Sequence, residues 1–229
     1  MSIHPFVKTV TSLRFENTFN PYSDRCEVYD RQDAPQRRAK ALSALVEKAT
    51  QSTVDAIWVG RDLGYRGGRR TGLALTDDVR VAHHAQRWDV RAERQTVGEA
   101  VVERTASVIW GMLDQIEAPV FLWNVFPLHP HEAGFPFTNR QHNARERQAG
   151  EEILSMLIAL LRPRRLVAVG NDAFAAATRV ANQCPVTLVR HPSYGGQRQF
   201  EKQVAELYQL PECAASLALF PEPVARDVA

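Results

Sequence analysis

Cysteine is scarce. Cys26, Cys184 and Cys213 are the only three in 229 residues, far apart and odd in number. So few cysteines argue against a disulfide framework, no two stand at a metal-ligand spacing, and free thiols in a reducing cytoplasm are expected. Long apolar runs are missing too. No stretch approaches the roughly 18 apolar residues of a membrane-spanning helix, so no membrane partner is expected. The opening MSIHPFVKTVTSLRF has no apolar segment of the kind a secretory signal carries. Lysine is nearly absent: among 28 cationic residues only Lys8, Lys40, Lys48 and Lys202 are lysine, and the rest are arginine. Guanidinium forks onto phosphate and stacks on bases, which suits a nucleic-acid partner. With 26 acidic residues and a net charge of +2, an ordinary solvated surface explains the same bias.

What is present is ordinary globular material, 45% apolar and 24% charged. The length fits one domain over residues 1–229. Residues 1–30 read as an ordered arm in which Phe15, Phe19 and Tyr22 need burial. Residues 214–229, with Pro221 and Pro223, read as a loosely packed tail. A helix is expected over 31–50, where Ala41, Leu42, Leu45, Val46 and Ala49 recur at helical spacing. Four short apolar runs follow: Val54–Val59, Pro119–Phe126, Arg165–Val169 and Val186–Val189. Their near-continuous apolarity predicts strands buried on both faces. Helical patterns lie between them. Val101, Val102, Thr105, Ile109, Trp110 and Leu113 share a face in 98–116, and Ile153, Met156, Leu157 and Leu160 in 144–161. Asn171 is placed to cap a helix through Ala181. Alternating strands and helices predict a three-layer α/β/α fold around a central four-stranded parallel sheet.

In such a sheet, ligands bind beyond the carboxyl ends of the strands. After the first strand, five glycines (Gly60, Gly64, Gly67, Gly68, Gly72) mingle with Arg61, Arg66, Arg69 and Arg70. This suits a phosphate-bearing ligand, but there is neither a Gly-Lys-Ser/Thr phosphate loop nor a GxGxxG fingerprint. Asp62 is the one carboxylate inside the cluster; it either pairs with a neighbouring arginine or does chemistry. The second strand ends with Asn124, an amide where an apolar residue is expected. It is either a structural tie or a reader of a pyrimidine edge. His129 and His131 lack a third ligand at a convincing spacing, so no metal is expected. After the fourth strand come His191, Pro192, Ser193, Tyr194, Gly195 and Gly196, a loop opening a helix whose amides can hold a phosphate.

Gly60-Arg61-Asp62-Leu63-Gly64, Asn124 and His191-Pro192-Ser193 occur in the order and strand context of the uracil-DNA glycosylase superfamily. The chain resembles that superfamily over roughly residues 15–208. FNPY, GYRGGRRTG, LWNVFPLHP, NR and RHPSYGG are similar to a bacterial branch of it. The resemblance implies a uracil-DNA glycosylase-like fold and a monofunctional glycosylase. Such an enzyme flips uracil out of DNA, hydrolyses its N-glycosidic bond and leaves abasic DNA, as a monomer and without a cofactor. Asp62 would orient the water and His191 would stabilise charge on uracil O2. Gly60, Arg61, Gly64, Tyr65 and Asn124 would form the uracil pocket. Arg66, Arg69, Arg70, Ser193, Tyr194, Gly195, Gln197 and Arg198 would hold DNA.

Departures from the family pattern are specific. Leu63 stands for the usual proline and Arg61 for Gln or Glu. Gly64 falls where the best-studied branch has a thymine-excluding tyrosine, and Tyr65 comes one position late. The ring-stacking phenylalanine falls near Leu75, which leaves Tyr65, Phe126 and Phe135 as candidates. The leucine wedge falls on Gly195, which leaves Tyr194, Gln197 or Arg198. Three scattered cysteines cannot hold the iron–sulfur cluster of the thermostable branch. Three other readings stay open: a glycosylase for hypoxanthine, xanthine or mismatched thymine; a non-catalytic binder of lesions or abasic sites; and a nucleotide-binding α/β module.

Overall fold

The computed structural model describes residues 2–211. The tail expected over 214–229, and Cys213, lie outside them. In chain order the elements are α1 (Pro5–Ser12), β1 (Thr18–Phe19), α2 (Ala34–Thr50), β2 (Ala56–Asp62), α3 (Gly68–Thr71), α4 (Val81–Gln86) and α5 (Arg104–Leu113). There follow β3 (Val120–Phe126), β4 (His129–Pro130), α6 (Ala144–Leu161), β5 (Arg165–Val169), α7 (Asn171–Val180), β6 (Val186–Val189) and α8 (Gln197–Tyr208).

The sheet has the order β3-β2-β5-β6, with every pairing parallel. Successive side chains on a strand point to opposite faces. Ile57 and Val59 of β2 accordingly join Phe121, Trp123, Leu166 and Ala168 in a core completed by α1, α2, α6 and α7. Ala56 and Trp58 join Leu122, Val167 and Val169 in the opposite core, completed by α5 and α8. The result is a three-layer α/β/α fold. Burying a side chain the size of Ile57 or Leu166 stabilises it by about 1.5–3 kcal/mol, and both layers depend on that term.

Local chemistry sets the boundaries. α6 spans the range its pattern predicts because Asn143 caps it: the Asn143 side chain accepts from Glu146 N–H, and the Glu146 carboxylate accepts from Asn143 N–H. Two expectations need correction. α5 begins at Arg104, not 98, because Glu103 is extended and its N–H is taken by Asp77; Val102 is exposed and outside the helical face. Gly170, with φ +94°, occupies the cap position of α7, so Asn171 is the first helical residue. The N-terminal arm holds a helix of its own, α1. It also holds β1, which pairs antiparallel with β4. The Tyr22 hydroxyl donates to Gly72 O at 2.5 Å, fastening the arm to the glycine-rich loop.

Candidate active site

All four strands end on one edge, where a cavity of about 630 Å³ opens between the loops after β2, β3, β5 and β6. Asn124 of β3 stands opposite Gly60 of β2 and is buried. Among the described residues its Oδ1 has no hydrogen-bond partner. Buried acceptors are seldom left unpaired, so this one is open to a ligand. A Cβ at position 60 would lie 2.3 Å from that oxygen and 3.0 Å from Leu75 Cδ2. Glycine at 60 is therefore the condition for Asn124 to stand where it does.

His191 lines the same cavity. Ser193 N–H donates to its Nδ1 at 3.1 Å, which leaves Nε2 to carry the proton of the neutral ring. Burial, then the nearby charges of Arg61 and Arg190, hold its pKa below the ordinary histidine value. His191 is thus a neutral donor near pH 7. The backbone permits the arrangement: a Cβ on Gly170 would approach His191 Cβ to 3.2 Å, and one on Gly196 would strike His191 O.

Asp62 ends β2 with its side chain 7% exposed. Arg61 Nε donates to Oδ2 at 2.8 Å, the neighbouring-arginine pairing considered from sequence. The other oxygen, Oδ1, accepts from His142 Nδ1. A carboxylate can only accept, so that nitrogen bears the ring proton. His142 immediately precedes the α6 cap, and Arg140 forks onto Glu146 at 2.7 and 2.6 Å to brace the same turn. Phe126 meets the His142 ring edge-on, at an interplanar angle of 61° with the centroids 6.2 Å apart. The only sequence signal for His142 is its place in NRQHN, just before a capping box.

Other expected positions divide. Gly60, Arg61, Gly64, Ser193 and Tyr194 line the cavity. Tyr194 is fully exposed with φ +53°, next to Gly195 at φ +76°. Gln197 pairs with Glu201 at 2.8 Å, Arg198 is exposed, and exposed Arg66 donates to the Tyr65 hydroxyl. Arg69 and Arg70 must be corrected, since they do not face outward to DNA. Arg69 is buried, donates to the Tyr29 hydroxyl (2.9 Å) and His129 Nδ1 (3.1 Å), and stacks on Phe19. Arg70 is buried and paired with Asp78 at 2.7 Å. Tyr65, Phe126 and Phe135 do not line the cavity, so none is placed to stack on a bound base. Leu75, at φ +53°, forms that wall. His129 donates through Nε2 to Thr138 O at 2.8 Å, so neither of its nitrogens is free for a metal; burial and then Arg69 lower its pKa to about 3. Sequence reading also missed Asn139, which accepts from Tyr65 N–H, and Glu103; both line the cavity.

The family model of the uracil DNA glycosylase superfamily matches residues 50–210. No curated protein matches the chain. Among solved structures, the crystal structure of wild-type SMUG2 from Pedobacter heparinus is similar, with a TM-score of 0.56 and 14% identity, over 88% of this chain and 94% of that one. That likeness is one of fold.

Proposed function

Because the chain belongs to the uracil DNA glycosylase superfamily, it is a DNA glycosylase, a hydrolase of N-glycosidic bonds in base excision repair, and we propose that the base it removes is uracil. The observation that carries this reading is the buried Asn124 Oδ1, which has no hydrogen-bond partner among the described residues, in the cavity. A glycosylase swings its target nucleotide out of the stack into a pocket. Uracil presents N3–H and O4 along one edge. Asn124 Oδ1 accepts from N3–H and Nδ2 donates to O4. Cytosine reverses donor and acceptor there. A site built on hydrogen bonds can reject such a mismatch by factors on the order of 10⁴, because buried groups are left unpaired.

His191 serves the opposite side of the base. Its neutral Nε2–H, with the Arg61 backbone amide, donates to O2 as negative charge develops there. Asp62 orients a water toward C1′, and its charge supports the oxocarbenium-like sugar. The electron pair of the N-glycosidic bond leaves with the base as its anion, the water adds hydroxyl to C1′, and the water's remaining proton ends on the departed base, which is thereby neutral. The product is abasic DNA, and the step calls on no cofactor. Ser193, Gly195, Gln197, Arg198 and Arg66 hold the strand, while Tyr194 fills the gap in the stack. The protein acts on uracil-containing DNA as a monomer.

One observation favours a second reading. A Cβ on Gly64 would meet only Glu103 Oε1, at 3.5 Å, so no side chain closes the cavity there. Hypoxanthine, xanthine or thymine would then also enter. Single-turnover release from matched oligonucleotides separates the two readings. Uracil is expected to leave fastest, and Asn124→Ala to lower that rate on the order of 10²–10³-fold. Preferred release of another base would replace uracil with the second reading. Binding without release of any base would make the protein a lesion binder.

A further inference from the structure

The reaction above calls on the Arg61 backbone amide and leaves its side chain unused, although Arg61 lines the cavity. The guanidinium joins two carboxylates. Nε donates to Asp62 Oδ2 at 2.8 Å, and Nη1 donates to Asp172 Oδ2 at 3.2 Å. Both carboxylates belong to the cavity wall. They are held differently. The Asp62 side chain is buried and keeps the His142 ring on Oδ1 without Arg61. Asp172 is exposed in the first turn of α7, where the helix dipole favours negative charge, and Gln141 Nε2 also donates to it at 3.4 Å. Neither carboxylate depends on Arg61 for its place. Exposed ion pairs hold little free energy. The Arg61 guanidinium is itself exposed and, among the described residues, uses two of its five N–H donors. Little keeps it where it stands.

This pairing conflicts with the task of Asp62. Its charge has to support a cationic sugar, and a guanidinium 2.8 Å away opposes that charge. Arg61 Nε also takes the oxygen that His142 leaves, so a water has to compete for it. DNA brings another partner. In a flipped nucleotide the sugar stands between the base and the strand, so the group facing C1′ and the group facing a flanking phosphate are neighbours. Arg61 is next to Asp62 in the chain, and a guanidinium grips a phosphate through two parallel N–H donors. We propose that the Arg61 side chain is a phosphate-binding site that uncovers Asp62. In the free protein it covers the carboxylate, and a phosphate flanking the target nucleotide draws it off. Asp62 stays in place on His142. The proposal rests on the role given to Asp62 under the uracil reading.

The test removes one phosphate charge at a time. Each of the two linkages flanking the target uracil is made, in turn, an uncharged methylphosphonate. Single-turnover release at saturating protein is measured for the wild type, Arg61→Gln and Arg61→Lys, and each penalty is taken against the same protein on ordinary DNA. At one of the two linkages the wild-type penalty should exceed that of Arg61→Gln on the order of tenfold, and Arg61→Gln should be the faster protein on that substrate. Arg61→Lys keeps the charge and should keep most of the penalty. The slope of log affinity against log salt should fall by about one in Arg61→Gln. Equal penalties in the wild type and Arg61→Gln at both linkages, or an unchanged slope, would overturn the phosphate site. Slower release by Arg61→Gln on every substrate would overturn the uncovering and make Arg61 a brace for Asp62. Asp62→Asn, run alongside, separates these failures from failure of the reading beneath them: a wild-type rate in that variant removes the role of Asp62 and the proposal with it.

Discussion

Asp62 accepts hydrogen bonds from two side chains that are not equivalent. Arg61 is 42% exposed and shared with Asp172, whereas the His142 ring is 6% exposed and held between Phe126 and the carboxylate. Positioning of the carboxylate should therefore depend mainly on His142. His142→Ala should slow single-turnover base release on the order of 10²-fold, the usual cost of a misplaced catalytic group, while DNA affinity stays unchanged. His142→Asn, whose amide N–H can reach the same oxygen, should recover part of the rate. Full activity in the alanine variant would show that Arg61 suffices alone. His142 meets Asp62 across 80 positions of sequence, and a contact that long leaves no trace in periodicity or spacing. Asp62, Asn124 and His191 were legible because each sits at a strand end, where an open parallel sheet collects its ligands. Arg69 and Arg70 misled for the opposite reason. In sequence they look like exposed charge, and only the fold supplies Tyr29, His129 and Asp78 as buried partners.

Elements were legible where one local force dominates. β5 and β6 have the bounds their apolar runs predict, and α6 matches its pattern residue for residue because a capping box fixes its start. β2 continues three residues beyond its apolar run, to Asp62, because Gly60 and Asp62 keep register with Asn124 and Phe126 of β3. That extension carries the Asp62 carboxylate to the rim of the cavity, and cross-strand pairing rather than composition produces it. The extended stretch before α5 escaped the sequence reading for a similar reason: the side chains of Asp77 and Asp78 take the N–H groups of Glu103 and Val101, so the helix cannot begin earlier. Glu103 was thereby hidden inside an expected helix, although it lines the cavity. α1 was missed because eight residues at a chain end carry too little pattern to outweigh an irregular arm.

For the whole molecule, the sequence predicted the layers and the edge at which the cavity opens, whereas the interior electrostatics emerge only from packing. His84 and His129 are buried, and burial above all lowers both pKa values to about 3; Arg87 adds to the effect at His84 and Arg69 at His129. Unfolded, each titrates near 6.5, so on acidification the unfolded chain takes up the proton first. Their contribution is fully present above about pH 6.5 and is lost as pH falls toward 3. At pH 5 the loss is about 2 kcal/mol per histidine. The melting temperature should drop on the order of 10 °C between pH 7.5 and 5. A constant melting temperature over that interval would contradict neutral, buried rings at both positions.

We propose that the cavity lined by Asp62, Asn124 and His191 excises uracil from DNA. The most direct measurement uses an end-labelled oligonucleotide with a single uracil, incubated with the protein in chelator and then treated with alkali to cleave abasic sites. Cleavage is expected at the uracil alone, with a rate lower on the order of 10²–10³-fold for Asp62→Asn, which still binds the oligonucleotide. Retained binding with no cleavage by the wild-type protein would contradict it.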